Sequence, residues 1–425
     1  MNRPERRNPW AWIPSLYFAE GLPYIVVMQV SGILYKRLGM SNADITFYTA
    51  WLGIPWIIKP LWAPIVDMVR TKRLWIVSLQ LVIGIVLAAV ALTIPVSFFF
   101  SVTLVLFMLV AFISATHDIA ADGFYMLGLA GHEQAAFVGV RSTFYRVAMV
   151  TGQGIFVIIA GLLETSTGGN VPFAWSVTFG ILALMFAGFF VYHRFMLPYP
   201  PSDVRVRAVQ SSGAVPEFFK IFLEFLRKPG IGYILAYLLL YRFAEAQLIK
   251  LVGPFLLDPR TKGGLGLSTT ELGFVYGTVG ITALTLGGLL GGFVIPRRGL
   301  KFWLWPMVVI MHLPDLVFVY LSQVQPGSFF LINVAVAVEQ FGYGFGWTAY
   351  MLFMIMVSEG EHKTAHYAIC TGIMALGLVL PQAFSGALQE WLGYPNFYLW
   401  VMLSTIPGFI VTALITIDRD FARKP

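Results

Sequence analysis

An all-α integral membrane protein, with twelve transmembrane helices in two pseudosymmetric six-helix bundles, is the fold class this sequence predicts, and three observations carry that prediction. Of 425 residues, 58% are hydrophobic and 12% charged, against about 25% charged in an ordinary soluble domain. Apolar runs long enough to cross a hydrocarbon core about 30 Å thick, which takes about 20 helical residues, recur twelve times. Short landmarks also repeat at one spacing: Phe18-Ala19-Glu20 returns as Phe243-Ala244-Glu245, Lys72-Arg73 as Arg297-Arg298, and Tyr125-Met126-Leu127 as Tyr350-Met351-Leu352, each 225 residues further on. Three landmarks in three helix contexts at one offset indicate a duplicated six-helix unit with parallel repeats.

The elements follow in order. The first run, 10–35, follows Arg7 without a small-residue cleavage site, so it reads as a retained membrane helix and not a removed signal peptide. Further runs at 43–66, 74–96, 98–125, 136–163 and 173–197 complete a first bundle, residues 1–198. The chain then turns polar from Pro198 to Pro216, and in 217–228 the apolar residues cluster on one side of a short helix with the charges opposite, as in a cytoplasmic interfacial helix, which makes 199–229 a linker. Runs at 230–257, 269–295, 301–322, 327–357, 364–391 and 395–418 form the second bundle, residues 230–425. Internal Pro and Gly predict kinks of the kind transporters tolerate.

The net charge of +7 is explained by topology. With the N-terminus in the cytoplasm, nineteen Lys and Arg outside the spans lie inside, and only Lys36, Arg37, Arg260 and Lys262 lie outside. Both termini are therefore expected in the cytoplasm, and no nucleic-acid partner is implied. The single cysteine, Cys370, rules out an internal disulfide framework and a Cys-based metal cluster. There is no Walker-type loop and no His-Glu-x-x-His. No cofactor and no metal are expected, an ion gradient remains as the energy source, and an enzyme is not.

Charges inside spans are costly, about 2.5–3.5 kcal/mol each on an insertion scale, so they should face a cavity or a partner. Asp118 and Asp122 on span four are one helical turn apart, and two carboxylates on one face favour holding a proton on one of them; they are the proton-coupling candidates, with Asp118 the stronger and His117 a possible extension of the relay. The competing reading pairs Asp122 with Arg146 of the next span. Glu20, beside Gly21 and Pro23, and its repeat partner Glu245 sit where a rocking carrier would hold substrate, together with Tyr145, Arg146, Arg242, Glu339 and Gln340; the alternative for Glu245 is a pair with Arg242 one turn away. Arg242 and Lys250 suit an anionic substrate, although Lys250 can also snorkel to the outer interface. Gly342, Gly344 and Gly346 allow a ligand or another helix to approach span ten closely. Between spans two and three, Asp67, Arg70 and Arg73 resemble an inner-gate latch, with Lys59 in the preceding span as a further gating candidate.

Gly21-Leu22-Pro23, Lys59-Pro60-Leu61-Trp62-Ala63-Pro64 with Asp67, Asp118-Ile119-Ala120-Ala121-Asp122 and Tyr145-Arg146 together resemble the AmpG-type muropeptide permeases and the related acetyl-CoA transporters, a branch of the major facilitator superfamily. His117 stands where this family is expected to have Gln. The resemblance implies a proton-coupled symporter that imports peptidoglycan-derived amino-sugar or muropeptide fragments across the bacterial inner membrane by alternating access. The expected partners are an amphipathic, anionic small molecule and the lipid bilayer, and the expected working form is a monomer. Acetyl-CoA, another organic anion or a siderophore-like compound is the alternative cargo, and a membrane enzyme or receptor the alternative class.

Overall fold

The computed structural model describes residues 7–203, 220, 222–359, 362–419 and 421–423, and its described residues contain helices and no strand. Of the expected interfacial helix at 217–228, residues 217–219 and 221 lie outside that set, and 220 and 222–226 are helical. In chain order the rods are α1 (Pro9–Arg37), α2 (42–69), α3 (Lys72–Thr93), α4 (Phe99–Gly128), α5 (131–166), α6 (Val171–Met196), α7 (231–257), α8 (Thr269–Arg298), α9 (Leu300–Val324), α10 (Phe329–Val357), α11 (363–392) and α12 (394–414).

Local chemistry sets the ends and breaks of these rods. Ser41, Thr71, Asn170 and Ser328 cap α2, α3, α6 and α10, each side-chain oxygen accepting from a backbone N–H of the first turn. Three prolines, Pro55, Pro60 and Pro64, fall where α2 divides into short helical pieces, since each lacks the backbone N–H that would continue the ladder. Gly393, at φ 72°, turns the chain between α11 and α12 in a conformation that favours glycine. Wide π turns interrupt α1 at Val26–Val30, α5 at Thr151–Phe156 and α8 at Gly273–Gly280. Every one of these irregular stretches lies in a rod that a straight α-helix would otherwise fill.

Two compact units result. The first holds residues up to Gly39, Leu52–Val209 and the short segment Thr269–Gly273. In it α1 packs on α4 and α5, and α3 packs on α4 and α6. Gly21 makes the α1–α5 approach possible, since a Cβ there would stand 3.0 Å from the Tyr145 carbonyl oxygen. The second holds Met40–Trp51, Gln210–Ser268 and Phe274–Pro425. Here α10 packs between α8 and α9: Gly344 lies against the Leu284 backbone of α8, while Gly342 and Gly346 lie against Ile310 and Met307 of α9. The glycine spacing on α10 therefore serves helix packing.

Many large apolar side chains point outward, among them Leu92, Leu184, Phe330 and Trp391, each more than 70% exposed. On a soluble protein such a surface would drive aggregation; here hydrocarbon is its solvent. The chain is a multi-pass membrane protein.

Candidate substrate and ion sites

In the first unit the charged residues expected within spans converge. Asp122 accepts from Arg141 at 2.6 Å and from the Tyr17 hydroxyl at 3.3 Å, and the Arg141 guanidinium lies over the rings of Tyr17 and Tyr125 at 4.4 and 5.1 Å. The cation beside Asp122 is thus Arg141 and not Arg146. Helix phase explains the difference, for five residues turn an α-helix by about 140° relative to Arg141. Arg146 is half-buried and makes no hydrogen bond or ion pair among the described residues. Asp118 is buried and has Lys59 Nζ 3.6 Å from one carboxylate oxygen, while its other oxygen has no hydrogen-bond partner among the described residues. Lys59 therefore belongs to the carboxylate site geometrically. Glu20 is 6% exposed, and its Oε2 also lacks a hydrogen-bond partner. Tyr145 supplies the backbone carbonyl against Gly21, one residue from Glu20.

His117 turns away from its neighbour in sequence. Its Nε2 lies 3.0 Å from Gln80 Nε2, Gln80 Oε1 lies 2.8 Å from His193 Nδ1, and His193 Nε2 lies 2.9 Å from Ser15 Oγ. This buried chain ties α4 to α3, α6 and α1, and consecutive helical residues point about 100° apart, which separates His117 from Asp118.

Of the expected latch, the Asp67 side chain lies outside the described residues, and Arg70 is exposed. Arg73 is held differently: it donates to the carbonyls of Leu197 and Arg194 at the end of α6 and lies 3.8 Å over the Tyr199 ring. Asp203 accepts from the backbone N–H groups of Lys72 and Arg73 at 2.7 and 3.0 Å, which satisfies free donors at the start of α3.

The second unit has its own polar interior. α7 breaks at Tyr241–Arg242, and Arg242 takes a non-helical conformation, φ −107° and ψ 17°. That break removes Arg242 from the register that would place it on Glu245. Its guanidinium instead donates to the Tyr343 hydroxyl and lies 4.4 Å over the Trp347 ring. Glu245, Asp315 and Glu339 are all at most 1% exposed, and one oxygen of each lies within 4.8 Å of the others. Gln340 donates to Glu339 Oε2 at 3.0 Å. Lys250, 7% exposed, is buried and does not snorkel.

Two further polar clusters had no motif to announce them. Glu164 on α5 accepts from Arg37 at 2.9 Å, from the Trp175 indole at 2.8 Å and from the Thr269 hydroxyl at 2.7 Å, which fastens segment 269–273 inside the first unit. Asn42 on α2 donates to Gln389 at 2.6 Å, and Tyr394 donates to Asp258 at 2.7 Å, which fastens segment 40–51 inside the second. The Thr46 hydroxyl accepts from the backbone N–H of Gly386 at 3.0 Å. The only sequence signal for either was an acidic or amide residue near the end of a span.

These features, two helical units with broken helices and buried charge inside each, match the major facilitator fold. The solved structures agree on fold. A bacterial homologue of the human lysosomal transporter Spinster matches at TM-score 0.72 and 15% identity, covering 97% of this chain and 96% of that one. A D-xylose–proton symporter matches at TM-score 0.68 and 14% identity, covering 96% and 99%. The chain belongs to the BT1 family, whose model matches residues 20–336. Its relatives include the anhydromuropeptide permease of Escherichia coli K12, 22% identical over 415 residues, which covers 96% of this chain and 80% of the permease. An AmpG 4 transporter of Rickettsia conorii is 23% identical over 413 residues, covering 93% of this chain and 94% of that protein. Family and fold neighbours alike are transporters and not enzymes.

Proposed function

We propose that this transporter is a proton-coupled importer of peptidoglycan-derived amino-sugar or muropeptide fragments, working as a monomer in the bacterial inner membrane with both termini in the cytoplasm. The observation that carries the reading is the pair of buried carboxylates Glu20 and Asp118, each with an oxygen that has no hydrogen-bond partner among the described residues. Leaving a buried charge without partners costs several kcal/mol, so such a group holds a proton or meets a ligand for part of its cycle. Asp118 is the proton carrier in this scheme, because Lys59 beside it can favour the charged form when the site opens to water and the helix interior favours the neutral form when it closes. Asp122, fixed by Arg141, supplies the constant negative charge next to it.

Glu20, Tyr145, Arg146 and Arg242 are assigned to substrate. Arg146 and Lys250 lack an acidic partner among the described residues, which suits an anionic cargo. The clusters at Glu164 and Asn42 act as latches that hold one access state and open in the other, a bistable arrangement in which substrate and proton binding set the populations. The relative's name, anhydromuropeptide permease, supports the choice of cargo. The test is uptake into proteoliposomes with peptidoglycan fragments, amino sugars and acetyl-CoA offered separately under an imposed pH gradient. Uptake of anhydro-muropeptide that collapses with a protonophore is the expected result; uptake indifferent to the protonophore rejects proton coupling, and uptake of acetyl-CoA alone rejects the cargo.

A further inference from the structure

Glu245, Asp315 and Glu339 come from three different helices, α7, α9 and α10, and meet in the interior of the second unit. Both oxygens of Glu245 and both of Asp315 lack a hydrogen-bond partner, and Glu339 is met by Gln340 alone among the described residues. A fourth group faces them. His312 is 1% exposed, its Nδ1 makes no hydrogen bond among the described residues, and that nitrogen stands 3.8 Å from Asp315 Oδ2. Three buried carboxylates this close repel strongly in a low dielectric, so their charge has to be balanced in place.

We infer that these residues form a binding site for a divalent metal cation of calcium size. The three oxygens lie within 4.8 Å of one another, close enough to share one ion, and preference for calcium follows from burial: all three acids are at most 1% exposed, so the ion must shed most of its water, which magnesium does reluctantly. Charge follows from the inventory. The three acids carry three negative charges when ionised, and Arg242, although its guanidinium rests on Tyr343 and Trp347, still acts electrostatically on Glu245 and His312 and offsets one of them. Two negative charges are left for the ion. Oxygen donors suit a hard cation, and His312 completes the wall on the α9 side. The sequence hides this site because no ligand spacing links positions 245, 315 and 339; only the packing of three helices assembles it. The inference does not depend on the cargo or on proton coupling, and it gives Glu245 and Glu339 a role other than substrate contact.

Equilibrium dialysis of the purified full chain, stripped with EDTA, against radioactive calcium tests the site, alongside melting temperatures in calcium, magnesium, sodium and potassium chloride at equal ionic strength and fixed pH. The expected result is one calcium bound per chain and a saturable rise in melting temperature of several degrees, larger with calcium than with magnesium and absent with sodium and potassium. Glu339→Gln should weaken calcium binding at least about tenfold, and the combined Glu245→Gln, Asp315→Asn, Glu339→Gln variant should abolish it. Those changes keep side-chain shape and remove buried charge, so the variants fold; their own melting temperatures in stripped buffer verify this. No calcium bound to the wild-type chain, calcium binding that survives in the triple variant, or stabilisation by sodium or by protons alone would overturn the proposal.

Discussion

Removing the Glu164 carboxylate perturbs one of the two proposed latches with a magnitude that can be worked out. The Trp175 indole and Thr269 hydroxyl that it accepts from are both at most 1% exposed, so Glu164→Ala strands two buried donors at about 1–2 kcal/mol each. Arg37 is about a third exposed and regains water when freed, so the ion pair adds only about 1 kcal/mol. The total is about 4 kcal/mol, of which the bond to Thr269 accounts for about 1–2 kcal/mol and holds segment 269–273 in place. With that bond formed in one access state only, its loss shifts the equilibrium between states by about fivefold to thirtyfold. A membrane-impermeant maleimide reports the shift through its labelling rate at Thr270→Cys, which should rise by that factor with Glu164→Ala. Glu164→Gln, which keeps one acceptor oxygen, should give a smaller rise. Equal labelling rates in all three backgrounds, with the variants folded, would refute the latch.

Asp118→Asn should leave fragment binding measurable by thermal shift and remove the dependence of uptake on an imposed pH gradient; pH-driven uptake that persists removes Asp118 from coupling. Arg141→Ala should depress uptake severely and Arg141→Lys restore only part of it, since lysine keeps the charge beside Asp122 and loses the planar contact with Tyr17 and Tyr125; transport assays at saturating substrate read the difference. Gly344→Val should lower thermal stability by about 3 kcal/mol or more because its side chain meets the immovable backbone of Leu284. Gly292→Ala, where a Cβ meets nothing within 4 Å, should be neutral or stabilising by about 0.5–1 kcal/mol, most simply compared by melting temperature.

The number and placement of the spans were legible because hydropathy is a local property: a helix in hydrocarbon must satisfy its own backbone and show apolar side chains to its surroundings, so each crossing writes itself into about twenty consecutive residues. The residues too costly to place in lipid, Glu20, Asp118, Asp122, Arg242 and Glu245, were legible for the same reason. Partnership among those residues was not. Arg141 and Arg146 read alike in sequence, and helix phase with the packing of α5 decided that Arg141 meets Asp122. Arg242 left Glu245 because α7 breaks between them and Trp347 offers its ring. His117 belongs to a chain with Gln80 and His193, residues that no local pattern connects to it. Sequence by itself determined which side chains had to be taken out of lipid, since transfer energy depends on one residue at a time. Tertiary structure decided where each one went, because hydrogen bonds and ion pairs act over about 3–4 Å between helices far apart in the chain.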